Sequence, residues 1–68
     1  AGVPDILLPV ARAGHNGLAI ELKRSIGGRV SVEQRTWLNR LTQQGWQAVV
    51  CNGADEAIQT IKKYMGVK

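Results

Sequence analysis

Disulfides are excluded at once. The chain of 68 residues has a single cysteine, Cys51, so no bridge can form within it and no zinc site built on several thiolates is available. That usage suits a reducing compartment, and a cytoplasmic location is expected. Long apolar runs are missing too: none approaches the roughly 20 residues that span a bilayer, and no charged-then-apolar signal segment opens the chain. No membrane association is expected. Acidic residues are scarce, five Asp plus Glu against nine Lys plus Arg, which leaves a net charge of +4. The excess suits a polyanionic partner, and a solvated basic face would carry it equally well. A chain this short has a marginal core, and with disulfides gone the remaining sources of help are a metal or a partner subunit.

What is present reads as one small α/β domain over residues 1–68, in the order strand, strand, helix, strand, helix. "GVPDILLPV" carries a short apolar run that Pro9 ends, giving a first strand near residues 3–8. "ARAGHNG" follows, with Asn16-Gly17 as its turn signal, and "LAIELK" runs back to complete an antiparallel hairpin. "SVEQRTWLNRLTQQG" is a helix marked at both ends: Ser31 with Gln34 three places on makes a capping box, and Gly45 supplies a left-handed C-terminal residue. Its apolar face is Trp37, Leu38 and Leu41, and Gln34 shares that face. "WQAVVC" is a third strand. "GADEAIQTIKKYMG" repeats apolar residues at Ala54, Ala57, Ile58, Ile61 and Met65, with Asp55 and Glu56 in the first turn and Lys62 and Lys63 in the last. The chain begins at Ala1 directly before its first motif, and a trimmed piece of a longer protein is expected.

The chemistry gathers on the hairpin. Alternation puts Ala19, Glu21 and Lys23 on one face of the second strand and Leu18, Ile20 and Leu22 on the other. Val3, Asp5 and Leu7 alternate likewise on the first strand, so a suitable register would set Asp5 beside Glu21 and Lys23. The length of the connection leaves that register open. Two close carboxylates repel unless a cation or a proton intervenes, and all-oxygen donors call for magnesium or manganese. Such a cation acidifies water and draws charge off a phosphoryl oxygen, and an adjacent ammonium would stabilise the transition state, the chemistry of phosphodiester hydrolysis. The bland reading of Glu21 and Lys23 is an ordinary ion pair on the wet face of a sheet.

Pro4-Asp5 followed by Glu21-Leu22-Lys23 on the next strand resembles the PD-(D/E)xK nuclease pattern. The ordered set "GVPDILL", "GLAIELKR" and "SVEQRTWLNRLTQQGWQAVVCNGADEAI" is more specifically similar to the VRR-NUC family, over Gly2 to about Ile61. The resemblance implies a mixed three-stranded sheet and a magnesium- or manganese-dependent, structure-specific DNA nuclease. Small stand-alone members resemble Holliday-junction resolvases and act as dimers, while members fused to other domains include flap nucleases, so branched DNA and a homodimer are implied here. Carried onto this sequence, Asp5, Glu21 and the backbone carbonyl of Leu22 would be metal ligands, Lys23 the catalytic lysine, and Gln34 a glutamine pointing into the site. The family core normally begins with a helix bearing a further glutamate. That helix is expected to have been removed or to be supplied otherwise.

Plainer readings stand beside these. Gln34 is fully explained as a capping-box partner. Arg12, His15, Arg24, Arg29 and Arg35, with Arg40, suit a phosphate-binding track or a merely soluble face. Of these, Arg24 and the loop that follows the site, which carries Arg29, are expected nearest the metal. Trp37 is expected in the core and Trp46 at a subunit surface, with base stacking as the other use of both. Rival functions are a structure-specific DNA-binding module without turnover, a flap nuclease domain from a larger protein, and a structural domain with a basic face for a protein partner.

Overall fold

The computed structural model describes residues 2–67. Strand β1, Ile6–Leu8, pairs antiparallel with β2, Leu18–Lys23, which pairs parallel with β3, Gln47–Asn52; β2 is therefore the centre of a mixed three-stranded sheet. Helix α1, Val32–Gln43, makes the crossover from β2 to β3, and α2, Ala54–Met65, closes the chain. The first strand is shorter than the sequence suggests. Asp5 has left the ladder, since its side chain rather than its backbone takes the neighbouring N–H of Leu22.

The helices cover opposite faces. Leu18 and Ile20 pack with Cys51 of β3 and with Ala57 and Tyr64 of α2, and Ile6, Leu8, Val49, Ile61 and Met65 close round them. On the other face α1 lies against β3 and β2, with Leu38 as its buried residue. Burial on both faces removes the bland reading of a sheet with one wet face: Ala19 and Glu21 are as buried as Leu18 and Ile20. A central strand flanked by helices on both faces offers no solvated face for charged residues.

Both ends of α1 behave as their residues dictate. The Ser31 hydroxyl accepts the N–H of Gln34 and the Gln34 side chain accepts the N–H of Ser31, a complete capping box. Gly45, just past the end, is left-handed with φ 86°. Helix α2 departs from expectation in its stripe. Ile58 is exposed, and Tyr64 takes its place in the core, its hydroxyl donating to the Val10 carbonyl.

The hairpin turns elsewhere than Asn16-Gly17. Arg12 and His15 exchange backbone hydrogen bonds across Ala13 and Gly14, both at positive φ, 49° and 83°, the signature of a type I′ turn. Asn16 and Gly17 instead seat the loop on the α1–β3 connection. The Asn16 amide donates to the Gln44 carbonyl, and a Cβ at Gly17 would lie 2.6 Å from the Trp46 ring. Trp46 is thereby half-buried within the chain, and Trp37, expected in the core, is 36% exposed.

Candidate active site

The antiparallel register pairs Ile6 with Ile20, so one step further brings Asp5 opposite Glu21 and another brings Pro4 opposite Leu22. The open register thus resolves in the way that joins the carboxylates. The side-chain carboxylate of Asp5 accepts the Leu22 N–H at 2.8 Å, which fixes the exposed aspartate at the mouth of the site.

Glu21 lies beneath it and is only 2% exposed. One of its oxygens, Oε2, accepts the Gln34 Nε2 amide at 3.1 Å and meets Lys23 Nζ at 3.4 Å. The other, Oε1, is buried with no hydrogen-bond partner. Burial pushes the Glu21 carboxyl above its ordinary pKa, the neighbouring Asp5 carboxyl adds to the rise, and Lys23 opposes it.

Lys23 is held by the same glutamine, whose Oε1 accepts both Lys23 Nζ and the Ser31 N–H at 2.8 Å. Gln34 therefore caps α1 and orients the lysine with one atom, so the two readings of this residue are one. The loop before α1 also presses on the lysine. A Cβ at Gly28 would fall 2.8 Å from the Lys23 Cβ, so only glycine lets the backbone lie there without moving it.

The Leu22 carbonyl follows from the ladder. Carbonyls of Gly17 and Lys23 accept from Gln47 and Gly53 on the β3 side, so by alternation that of Leu22 faces β1. Pro4 would stand across from it and has no N–H to give. Two carboxylates and such a carbonyl are hard oxygen donors, and the unpartnered Glu21 Oε1 is an atom that a cation would satisfy. The residues present fit magnesium or manganese. Among the described residues no group of three or more His, Cys, Asp or Glu gathers, so the carboxylates are limited to this pair.

The model of the VRR-NUC domain matches residues 1–55. The chain belongs to the VRR-NUC family. A solved structure titled "VRR_NUC domain protein" superposes with a TM-score of 0.93 at 33% identity, covering 98% of this chain. The chain spans 55% of the length of that structure. No curated protein matches the sequence. VRR-NUC domains are of nuclease type and act on nucleic acid, which accords with the basic balance of this one. Among the described residues no helix is long and apolar enough to cross a membrane.

The remaining residues singled out in the sequence separate by position. Arg24 follows Lys23 directly and lines an open pocket with Leu22, Ser25, Gly53 and Ala54, while Arg29 lies on the loop that folds over Lys23. Arg35 is exposed in the first turn of α1, and Arg40 is in its last turn. Arg12 and His15 are not near the carboxylates. They sit at the opposite end of β2, whereas Arg24 and the loop that follows β2 stand beside Lys23. Six extended residues separate His15 from Glu21, roughly 20 Å. Antiparallel pairing puts the turn at the start of β2, whereas the carboxylates are at its far end.

Proposed function

We propose that this VRR-NUC domain hydrolyses phosphodiesters in branched DNA with magnesium or manganese. The observation that carries this reading is the buried Glu21, held by Lys23 and Gln34 on one oxygen, unpartnered on the other, with Asp5 beside it. Asp5, Glu21 and the Leu22 carbonyl would hold the cation, which when bound acidifies water and withdraws charge from the phosphoryl oxygen. Lys23 places its ammonium against the charge that builds on the phosphoryl group. Gln34 keeps that ammonium aimed, and burial of Glu21 keeps bulk water from screening it.

Branched rather than plain duplex DNA is proposed from the family resemblance; geometry would then select the substrate. A homodimer is proposed because a symmetric junction needs two cuts and a small core gains from a second copy. The test is cleavage of labelled four-way junction, flap and duplex with magnesium or manganese, beside Asp5→Ala and Lys23→Ala. Cleavage by the parent and its loss in both variants is the expected result. Cleavage equal to the parent in either variant rejects the site assignment. Junction binding with every substrate left whole would select a binding module without turnover.

A further inference from the structure

A second concave site lies on the α2 face of the sheet, at the end remote from Asp5 and Glu21. It is a cavity of about 310 Å³ lined by Ala13 and His15 of the hairpin turn, Gln47 of β3, and Thr60, Lys63 and Tyr64 of α2, with Val49 as its floor. Among the described residues, the side chains of His15, Gln47 and Lys63 have no hydrogen-bond or ion-pair partner. The other polar groups are committed: the Tyr64 hydroxyl to the Val10 carbonyl, the Thr60 hydroxyl to the Glu56 carbonyl. Among the described residues no carboxylate lines the cavity.

The free groups are an ammonium, an imidazole and an amide, all able to donate into one concavity without an acid to neutralise them. That set suits a tetrahedral oxyanion. The His15 ring is also steadied, its centroid 6.5 Å from that of Tyr64 in a tilted arrangement. Its backbone is fixed by the tight turn, where Ala13 accepts a left-handed conformation that costs a residue with a Cβ about 1–2 kcal/mol.

We propose that this pocket holds a backbone phosphate of the nucleic acid, as an anchor for a part of the substrate remote from the cleaved bond. The proposal rests on the reading of the protein as acting on nucleic acid, but not on its being catalytic. An anchor roughly 20 Å from the carboxylates along β2 touches DNA about one duplex width away, a spacing useful where two arms diverge.

The test measures binding of a labelled four-way junction and of a duplex by fluorescence anisotropy in EDTA, over a range of salt. Lys63→Glu and His15→Ala are compared with Lys62→Glu, which changes an exposed lysine of the same helix that does not line the pocket. Lys63→Glu is expected to weaken binding about tenfold or more, His15→Ala several-fold, and the slope of log affinity against log salt to become shallower by about one in Lys63→Glu. Lys62→Glu is expected to do distinctly less. His15 is the only histidine, so its ring proton resonances report the pocket directly, and they should move on adding DNA to the parent and stay in Lys63→Glu. Equal effects of the two lysines, or His15 resonances that ignore DNA, overturn the proposal. Cleavage of the same substrates in magnesium tests the nuclease reading separately. A parent that cleaves nothing but loses junction affinity on Lys63→Glu keeps the anchor and loses the nuclease, and a parent that cleaves but is indifferent to Lys63 does the reverse.

Discussion

Gln34 joins the fold to the site at a single side chain. Its Oε1 serves the helix cap and the lysine together, and its Nε2 serves Glu21, so truncation breaks three hydrogen bonds at once. Gln34→Ala is expected to cost about 1–2 kcal/mol in urea or thermal unfolding, the range for a lost cap and its bonds, and to lower cleavage as well. Gln34→Glu separates the two roles. It keeps the cap acceptor, and its charge suits a helix N-terminus, but it sets a carboxylate against Glu21 where a donor stood. Stability near that of the parent with strongly reduced cleavage is the expected outcome. Glu21 gives a prediction in pH. Its folded pKa is raised, so it binds a proton more tightly folded than unfolded, and its contribution to stability is greatest in acid and is lost as pH rises through the folded value. Without divalent cation, the part of stability owed to Glu21 should fall from mildly acidic to neutral pH. Glu21→Gln should flatten that fall and raise the melting temperature at neutral pH relative to the parent. Manganese should stabilise the parent and not the variant; a variant that melts below the parent at neutral pH in EDTA would contradict this account.

At the scale of elements, the patterns that depend on neighbours in sequence were legible. Helix α1 is bounded where Ser31, Gln34 and Gly45 place it, and β2 coincides with "LAIELK". The turn was not, because Asn16-Gly17 satisfies a local rule that a distant contact overrides: Asn16 is drawn to Gln44, and Gly17 to the Trp46 ring. A larger residue at 17 would have to displace that ring. Gly17→Ala is therefore expected to cost about 1–3 kcal/mol in equilibrium unfolding, the range for overpacking, and a neutral result would show that the ring moves freely. Tyr64 was passed over although Ala57, Ile61, Tyr64 and Met65 form one helical stripe. Ile58 keeps the same helical spacing yet is exposed, so spacing alone does not say which apolar residues of the stripe meet the sheet.

Over the whole molecule, the cations divide between two ends of the sheet. Arg24 and Arg29 belong to the end with Asp5, Glu21 and Lys23, and His15 and Lys63 to the other. Arg24→Ala should weaken junction binding evenly across sequences, with a salt slope shallower by about one, as expected of a phosphate contact; an unchanged slope would make it part of a merely soluble face. The sequence by itself determined the order of elements, the helix caps and the residue types of the site, because these depend on short spacings and on chemistry carried by single side chains. It determined only that Asp5 and Glu21 were able to meet. Tertiary structure decided that they do, through the antiparallel register, and that β2 is buried on both faces, which turned Glu21 from a surface charge into a buried carboxylate with an unpartnered oxygen. Tertiary structure also decided that His15 and Lys63, 48 positions apart in the numbering, share one cavity at the far end of the sheet. Register, burial and such distant meetings come from how elements pack, and no local spacing encodes them.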